Sequence, residues 1–418
     1  MIAQFDMAQL IVAVLLIIFA LGGSAIVFCL LNIFWRSFFS SSRKRQDDES
    51  QLSTLLSTSL SEEAIILNVI ARHEMSPRHF SVRLQATKGD VLTDYSPGQY
   101  LSLMIPNESD TDTTSSVLLK RCYSLASWQQ DTNFYELGIQ REVEGKVSTW
   151  LHDNLQVGSV INTLPPKGNF VINTQQTDHA VLIAGGIGIT PLRAMVHQFI
   201  EQHGDNQFSD HQFTEKKSMS LFYSAKSIAE MCYVDEFIQL ADEFSNFTFH
   251  PFFTQGLKNI QPSSQSNRQF TAGRLSVEAL TQKRALRLDG IKSDYYLCGP
   301  NAMMDELKAD LTQQGIAPEF IHFERFGIEA ALPTGQEYSV NFSSNKSIVF
   351  NKQRTLLDAM ESQGIDIESE CRSGECGQCK VNLLAGKVKP LINIELDLKA
   401  GEILPCCSIP ESDLLIEL

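Results

Sequence analysis

The sequence lacks an excess of positive charge. Lysine and arginine number 34 against 49 aspartates and glutamates, a formal net charge of −15, which argues against a general nucleic-acid-binding role. It lacks a regularly paired set of cysteines. Nine are present, an odd count that argues against a secreted disulfide framework and for a reducing compartment with a metal site. It lacks internal repeats. Its first nine residues, "MIAQFDMAQ", contain no Lys or Arg, so the basic start of a cleaved signal peptide is missing. What is present is ordinary globular material: 418 residues, 43% hydrophobic and 20% charged, enough for two or three domains.

Residues 10–35, "LIVAVLLIIFALGGSAIVFCLLNIFW", carry no charge. At helical rise they span about 39 Å, enough to cross a bilayer with some tilt. Arg36, Arg43, Lys44 and Arg45 follow, which puts that end and everything downstream on the cytoplasmic face of the inner membrane. The segment 1–36 is thus expected to be a single-pass transmembrane anchor and 37–61 a polar tether.

From residue 62 the pattern becomes short alternating runs: "AIILNVIA", "HFSVRLQA", "QYLSLMIP", "RCYSLAS" and "FYELGIQRE". Cut by turns such as "SPG" at 96–98, they predict an antiparallel barrel. Near residue 178 strands begin to alternate with helices. "HAVLIAGG", "SMSLFYSA", "FTFHPFFT" and "DYYLCGP" read as strands; "TPLRAMVHQFIEQ", "MCYVDEFIQLADEF" and "NAMMDELKADLTQQ" read as helices. That alternation predicts a parallel sheet wrapped by helices. A small third unit follows, with strands "YSVNFSS" and "SIVFN" and the helix "TLLDAMESQG". The polar stretches 204–217 and 261–269 read as surface loops.

Three cysteines crowd into "CRSGECGQC", residues 371–379. Cys371, Cys376 and Cys379 have the C-x4-C-x2-C spacing of a plant-type [2Fe–2S] cluster. Gly374 and Gly377 let the loop close tightly, and a returning strand is expected to bring the fourth thiolate. Structural zinc favours two C-x2-C knuckles, and only one is present. This stretch and "LPCCSIP" resemble the cluster loop of plant-type ferredoxins. In that family the fourth ligand precedes a proline by four residues, which implies Cys406, before Pro410, in preference to Cys407. Pro405 departs from the small or hydroxyl residue usual there.

"RCYS", Arg121 to Ser124, resembles the R-x-Y-S flavin signature of the ferredoxin–NADP reductase superfamily. Tyr123 can lie flat on an isoalloxazine ring, Ser124 can hydrogen-bond the flavin N5, and Arg121 can neutralise phosphate. "GKVSTWL" at 145–151 follows at the family's distance. There Gly145, Val147 and Ser148 open a helix whose free amides would meet a pyrophosphate, which favours FAD over FMN. "PPKGNF" at 165–170 resembles the family's barrel-closing turn. "AGGIGITP" at 184–191 is not a GxGxxG loop, yet it resembles the superfamily's pyridine-nucleotide loop, with Gly185, Gly186, Gly188, Thr190 and Pro191 as cofactor contacts. "YYLCGPNAMM" resembles the second nucleotide motif, with Cys298, Gly299 and Pro300 near the nicotinamide. Tyr123, Ser124 and Cys298 are the implied catalytic residues.

The resemblance covers residues 62–418: a FAD-binding β-barrel over 62–175, an NAD(P)-binding α/β domain over 176–328, a linker over 329–337 and a β-grasp-like α+β ferredoxin domain over 338–418. This order resembles the phthalate dioxygenase reductase and hybrid-cluster-protein reductase types. It implies a membrane-anchored NAD(P)H reductase passing electrons through FAD and a [2Fe–2S] cluster to a redox protein, whether an oxygenase, a desaturase or a hybrid-cluster protein. "YSAKSIAEMCYVDEF" also resembles the flavin subunit of the sodium-pumping NADH:quinone reductase, although that subunit places its ferredoxin first. A cluster-based redox sensor and a passive electron carrier are the readings from other classes. The stretch "FYSAKS" offers Lys226 as its only cation, with Ser224 and Ser227 as neutral donors, which favours NADH over NADPH.

Overall fold

The computed structural model describes residues 64–418 except 88–90, 107–117, 129–132, 143–144, 205–216, 256–269, 284, 287–292 and 329–335. The uncharged run at 10–35 and the tether therefore lie outside the described residues, as do most of the two polar stretches and of the linker. Among the described residues no helix is long and apolar enough to cross a membrane.

The first sheet is antiparallel. It comprises β1 (Ile65–Ser76), β2 (His79–Ala86), β3 (Tyr100–Pro106), β4 (Leu118–Ser124), β5 (Tyr135–Gln140) and β6 (Val160–Thr163), in the order β4-β3-β6-β1-β2-β5. Period-two runs put Leu67 and Val69, Phe80, Val82 and Leu84, and Leu101 and Leu103 inside, as alternation requires. The sheet curls until its ends meet. Leu125, just past β4, bridges Leu137 of β5, and the Ala126 amide donates to the Glu136 carbonyl at 2.8 Å. Helix α1 (Lys146–Asn154) plugs the interior with Val147 and Leu151; burying such a leucine contributes about 1.5–3 kcal/mol.

The second sheet is parallel, in the order β10-β9-β8-β7-β11-β12. Its strands are β7 (His179–Gly185), β8 (Ser218–Ala225), β9 (Phe247–Phe253), β10 (Thr271–Ala272), β11 (Ser293–Cys298) and β12 (Ile321–Glu324). Every residue of β7 and β11 is buried, as central strands of a parallel sheet covered on both faces are. Chain order reverses across β7, whose neighbours are β8 and β11, so the switch point lies at the C-terminal ends of β7 and β11. Helices α2 (Ile189–His203), α3 (Val234–Glu243), α4 (Val277–Gln282) and α5 (Asn301–Gln313) accompany the sheet.

Helix α3 starts later than the sequence suggests. Residues 231–233 were expected inside it, yet Tyr233 has φ 59 and ends the preceding turn. Tertiary contacts override local propensity here. The Cys232 amide donates to the Tyr223 hydroxyl at 3.0 Å, and the Arg193 guanidinium lies 4.3 Å from the Tyr233 ring centroid.

The third unit has a five-stranded sheet, β14-β13-β19-β15-β17, beside a two-stranded one, β16-β18. The strands are β13 (Tyr338–Phe342), β14 (Ser347–Phe350), β15 (Val381–Ala385), β16 (Val388–Pro390), β17 (Glu402–Ile403), β18 (Ser408–Pro410) and β19 (Leu414–Glu417). Helix α6 (Leu356–Ser362) is capped by the Thr355 hydroxyl, which accepts the Asp358 amide, and packs Leu356, Ala359 and Met360 into the sheet core. Cys406 does not lie on a returning strand. It sits in a 3₁₀ turn, Pro405–Cys407, between β17 and β18, because Pro405 cannot donate a ladder hydrogen bond.

Candidate functional site

A cleft of about 650 Å3 opens where the three units meet. The barrel contributes Arg121, Tyr123, Ser124, Gly145, Val147 and Ser148; the parallel-sheet unit contributes Ile187, Thr190, Phe326 and Gly327; the third unit contributes Thr355, Glu361, Arg372 and Cys406. Residues quoted from separate sequence motifs thus share one wall-to-wall space.

On the barrel side, Tyr123 and Ser124 end β4, and Leu101 faces Tyr123 across the β3–β4 ladder. Arg121 donates from Nη1 to the Lys120 carbonyl at 2.7 Å and from Nη2 to Glu361 at 3.2 Å. Gly145 caps helix α1; a Cβ there would lie 2.5 Å from the Ser148 hydroxyl oxygen. That hydroxyl accepts the Glu142 amide at 3.0 Å and donates to the Gly145 carbonyl at 3.2 Å. No acidic residue lies in the first turn, so the free amides of α1 face the cleft with a positive dipole end. That fits an anionic pyrophosphate.

The two nucleotide-type motifs interlock. A Cβ on Gly188 would come 2.2 Å from the Cys298 carbonyl oxygen, and one on Gly185 would come 2.5 Å from Pro300. Gly299 and Gly185 touch in the same way. Gly186 is different: its φ is +54, and a Cβ there would meet nothing within 4 Å. It leaves open backbone at the switch point, the kind of cradle a nucleotide needs. Thr190 donates its hydroxyl to the Ile187 carbonyl at 3.0 Å, and Pro191 is buried in the first turn of α2. Cys298 is fully buried, and burial pushes its thiol well up.

Glu324 and Phe326 were missed. Glu324 ends β12, opposite Cys298 in the β11–β12 pairing, and accepts the Ser124 hydroxyl at 3.2 Å across 200 residues. Burial, then the nearby Glu375 carboxylate, push its pKa up to about 8. Phe326 is 46% exposed at the cleft. The available signal was "FERFG" at 323–327, an acid and an exposed aromatic at the C-terminal end of a parallel strand, where ligands bind.

The four cysteines come as two pairs. Cys371 and Cys376 lie close enough to perturb each other's thiols, as do Cys379 and Cys406. The Cys376 thiol first, then Ser373, hold Cys371 down at about 5. The Ser373 and Cys376 amides approach its sulfur at 3.5 and 3.3 Å. Gly374 and Gly377 have φ +78 and +73, the left-handed bends that turn those amides inward. Among the described residues no three His, Cys, Asp or Glu converge on a single-ion position. Two thiol pairs on one tight loop and a facing turn, with two backbone amides on the Cys371 sulfur, fit a two-iron cluster with two thiolates for each iron.

The family model described as a 2Fe-2S iron-sulfur cluster binding domain matches residues 341–411. That for the oxidoreductase NAD-binding domain matches 182–309, and that for the oxidoreductase FAD-binding domain matches 66–172. The chain is similar to the glycine betaine monooxygenase reductase subunit of Chromohalobacter salexigens, 27% identical over 350 residues, covering 78% of this chain and 88% of that protein. It is also similar to the ferredoxin reductase component of 3-ketosteroid-9-alpha-monooxygenase of Rhodococcus rhodochrous, 27% identical over 340 residues, covering 76% of this chain and 86% of that protein. Among solved structures, phthalate dioxygenase reductase shares the fold, with a TM-score of 0.62 at 22% identity over 85% of this chain and 98% of that one. With a cleft, a glycine cradle and a thiol loop that fit the three matched domains, the chain is an NAD(P)H oxidoreductase using FAD and a [2Fe–2S] cluster.

Proposed function

We propose that the chain is a membrane-anchored reductase that takes electrons from NADH and delivers them singly to an oxygenase. One observation carries this reading: Tyr123, Ser124, Thr190, Phe326 and Cys406 line a single cleft. When bound, FAD supplies the conversion of a two-electron donor into one-electron traffic, which the cluster relays.

The chain's own residues bind and orient. Arg121 and the amides opened by Gly145, Val147 and Ser148 would hold the flavin phosphates. Tyr123 and Phe326 would flank the ring, and Ser124, held by Glu324, would offer its hydroxyl to it. Gly185, Gly186, Gly188, Thr190 and Pro191 would hold the nucleotide pyrophosphate. Cys298, Gly299 and Pro300 would seat the nicotinamide, and burial of Cys298 and Glu324 keeps water from that wall. Cys371, Cys376, Cys379 and Cys406 would ligate the irons. The domain limits we assign are 62–175, 176–328 and 338–418.

The oxygenase acceptor is supported by the names of the relatives, which are reductase components of monooxygenases. Anchoring is supported by the uncharged run at 10–35 followed by Arg36, Arg43, Lys44 and Arg45, which also supports placement at the inner membrane with the catalytic units in the cytoplasm. NADH preference is supported by β8 ending beside a single exposed cation, Lys226. Anaerobic titration with NADH tests the reading. A flavin and an iron pair per chain should become reduced, and kcat/KM for NADH should exceed that for NADPH. Zinc in place of iron, or an NADPH value equal or higher, would refute the corresponding part.

A further inference from the structure

Cys371 is flanked by two side chains that leave their own unit. Glu370, just before it, is only 8% exposed. Its Oε1 accepts the Ser102 hydroxyl of β3 at 2.9 Å and lies 3.6 Å from Lys167 Nζ. Its backbone carbonyl accepts the Cys122 thiol of β4 at 3.3 Å. Arg372, just after, has φ +56 and pairs with Asp358 and Glu361 of helix α6. Glu361 also accepts Arg121 of β4. Both neighbours of the cysteine are therefore tied, directly or through one carboxylate, to the strand that carries Tyr123 and Ser124.

A buried carboxylate is a poor adhesive. Taking it out of water costs several kcal/mol, and apolar residues of similar volume often hold an interface as well or better. Among the described residues Glu370 has a single hydroxyl donor, Ser102, and Lys167 stands beyond hydrogen-bond distance. What a directional O–H···O bond adds is register: it fixes which part of the loop faces which residue of the barrel.

We propose that Glu370 is a positioning residue for electron passage between the flavin and the cluster, its carboxylate holding Cys371 in register with β3, the ladder partner of the β4 strand that carries Tyr123 and Ser124. This rests on the reading that the flavin lies at Tyr123 and the cluster on the four cysteines. NADH supplies two electrons, and they leave one at a time for the external acceptor. No bond is made or broken between the two centres, so the chain's control over that step is their separation and orientation. Electron tunnelling falls off exponentially with separation, so a loop that drifts from the barrel slows this step and leaves hydride transfer to the flavin untouched.

The test uses the full-length holoprotein with Glu370→Ala, Glu370→Gln and Ser102→Ala. Flavin reduction by NADH, followed by stopped flow, should match the wild type. Cluster reduction, followed by freeze-quench paramagnetic resonance, should slow several-fold in both alanine variants. Glu370→Gln keeps an acceptor oxygen and should restore most of the rate. Hydrogen exchange in the oxidised protein should rise at 371–379 and 100–106 and stay unchanged at 179–185. Wild-type cluster reduction in the alanine variants would overturn the proposal. So would equal slowing of both steps, loss of iron or flavin from Glu370→Ala, or faster exchange spread through the parallel sheet, since each denotes general structural support. Should Glu370→Ala not fold, Ser102→Ala, which leaves the carboxylate in place, decides alone. A wild-type chain without iron or flavin would instead overturn the underlying reading.

Discussion

Single side chains carry the proton and metal chemistry of the cleft. Glu324 is held near 8 by burial and by Glu375, against an ordinary value of 4.5. Between those values the folded chain keeps a proton that the unfolded chain has released, so stability falls as pH rises through that window. Glu324→Gln removes the titration. Its urea midpoint, relative to wild type, should therefore rise from about pH 5 to about pH 8, and parallel midpoints across that range would refute the assignment. Cys376 tests the other centre. Cys376→Ala removes one sulfur of the Cys371–Cys376 pair and should abolish the cluster's paramagnetic signal while flavin absorbance persists.

At the scale of elements, the loop between β7 and α2 uses its glycines for two different purposes. Gly186 needs only its left-handed backbone, since a Cβ would meet no atom within 4 Å. Gly186→Ala should cost about 1–2 kcal/mol in stability and raise KM for NADH, with FAD content unchanged. Gly188 needs space: its Cβ would strike the Cys298 carbonyl. Gly188→Ala must shift β11 against α2, so its thermal midpoint should fall further than that of Gly186→Ala. Equal midpoints for the two variants would show that close packing against Cys298 is not what the second glycine serves.

At the scale of the whole molecule, the catalytic units pack among themselves. Arg193 of α2 donates to the Ala126 carbonyl at 2.7 Å and pairs with Glu136 of the barrel. Lys308 of α5 pairs with Glu395 of the third unit. These contacts are made between residues beyond position 62. A chain beginning at residue 37 should therefore remain in the supernatant after a salt wash and keep its NAD(P)H–ferricyanide activity. Membrane association of that fragment, or lost activity in a folded fragment, would count against an anchor.

Short-range spacing in the sequence is enough to set the elements and to mark the thiol loop, whereas the flavin and nucleotide followed from the resemblance of its motifs to the ferredoxin–NADP reductase superfamily. Alternation put β2 at His79–Ala86 and an unbroken apolar run put β7 at His179–Gly185, and C-x4-C-x2-C marked three thiols of one loop. Arg121, Tyr123 and Ser124 were picked out by resemblance to the R-x-Y-S signature, and one strand, β4, carries all three. Tertiary structure alone decided what those motifs face. Ser124 meets Glu324 across 200 residues, and Ser102 meets Glu370 across 268. Tyr233 leaves the helical region under the guanidinium of Arg193, and Cys406 turns where a strand was expected. Periodicity reports which face of a segment is buried, and nothing in it names the partner. The partner is chosen when whole units dock and each buried polar group must find a donor or acceptor on whatever surface it meets.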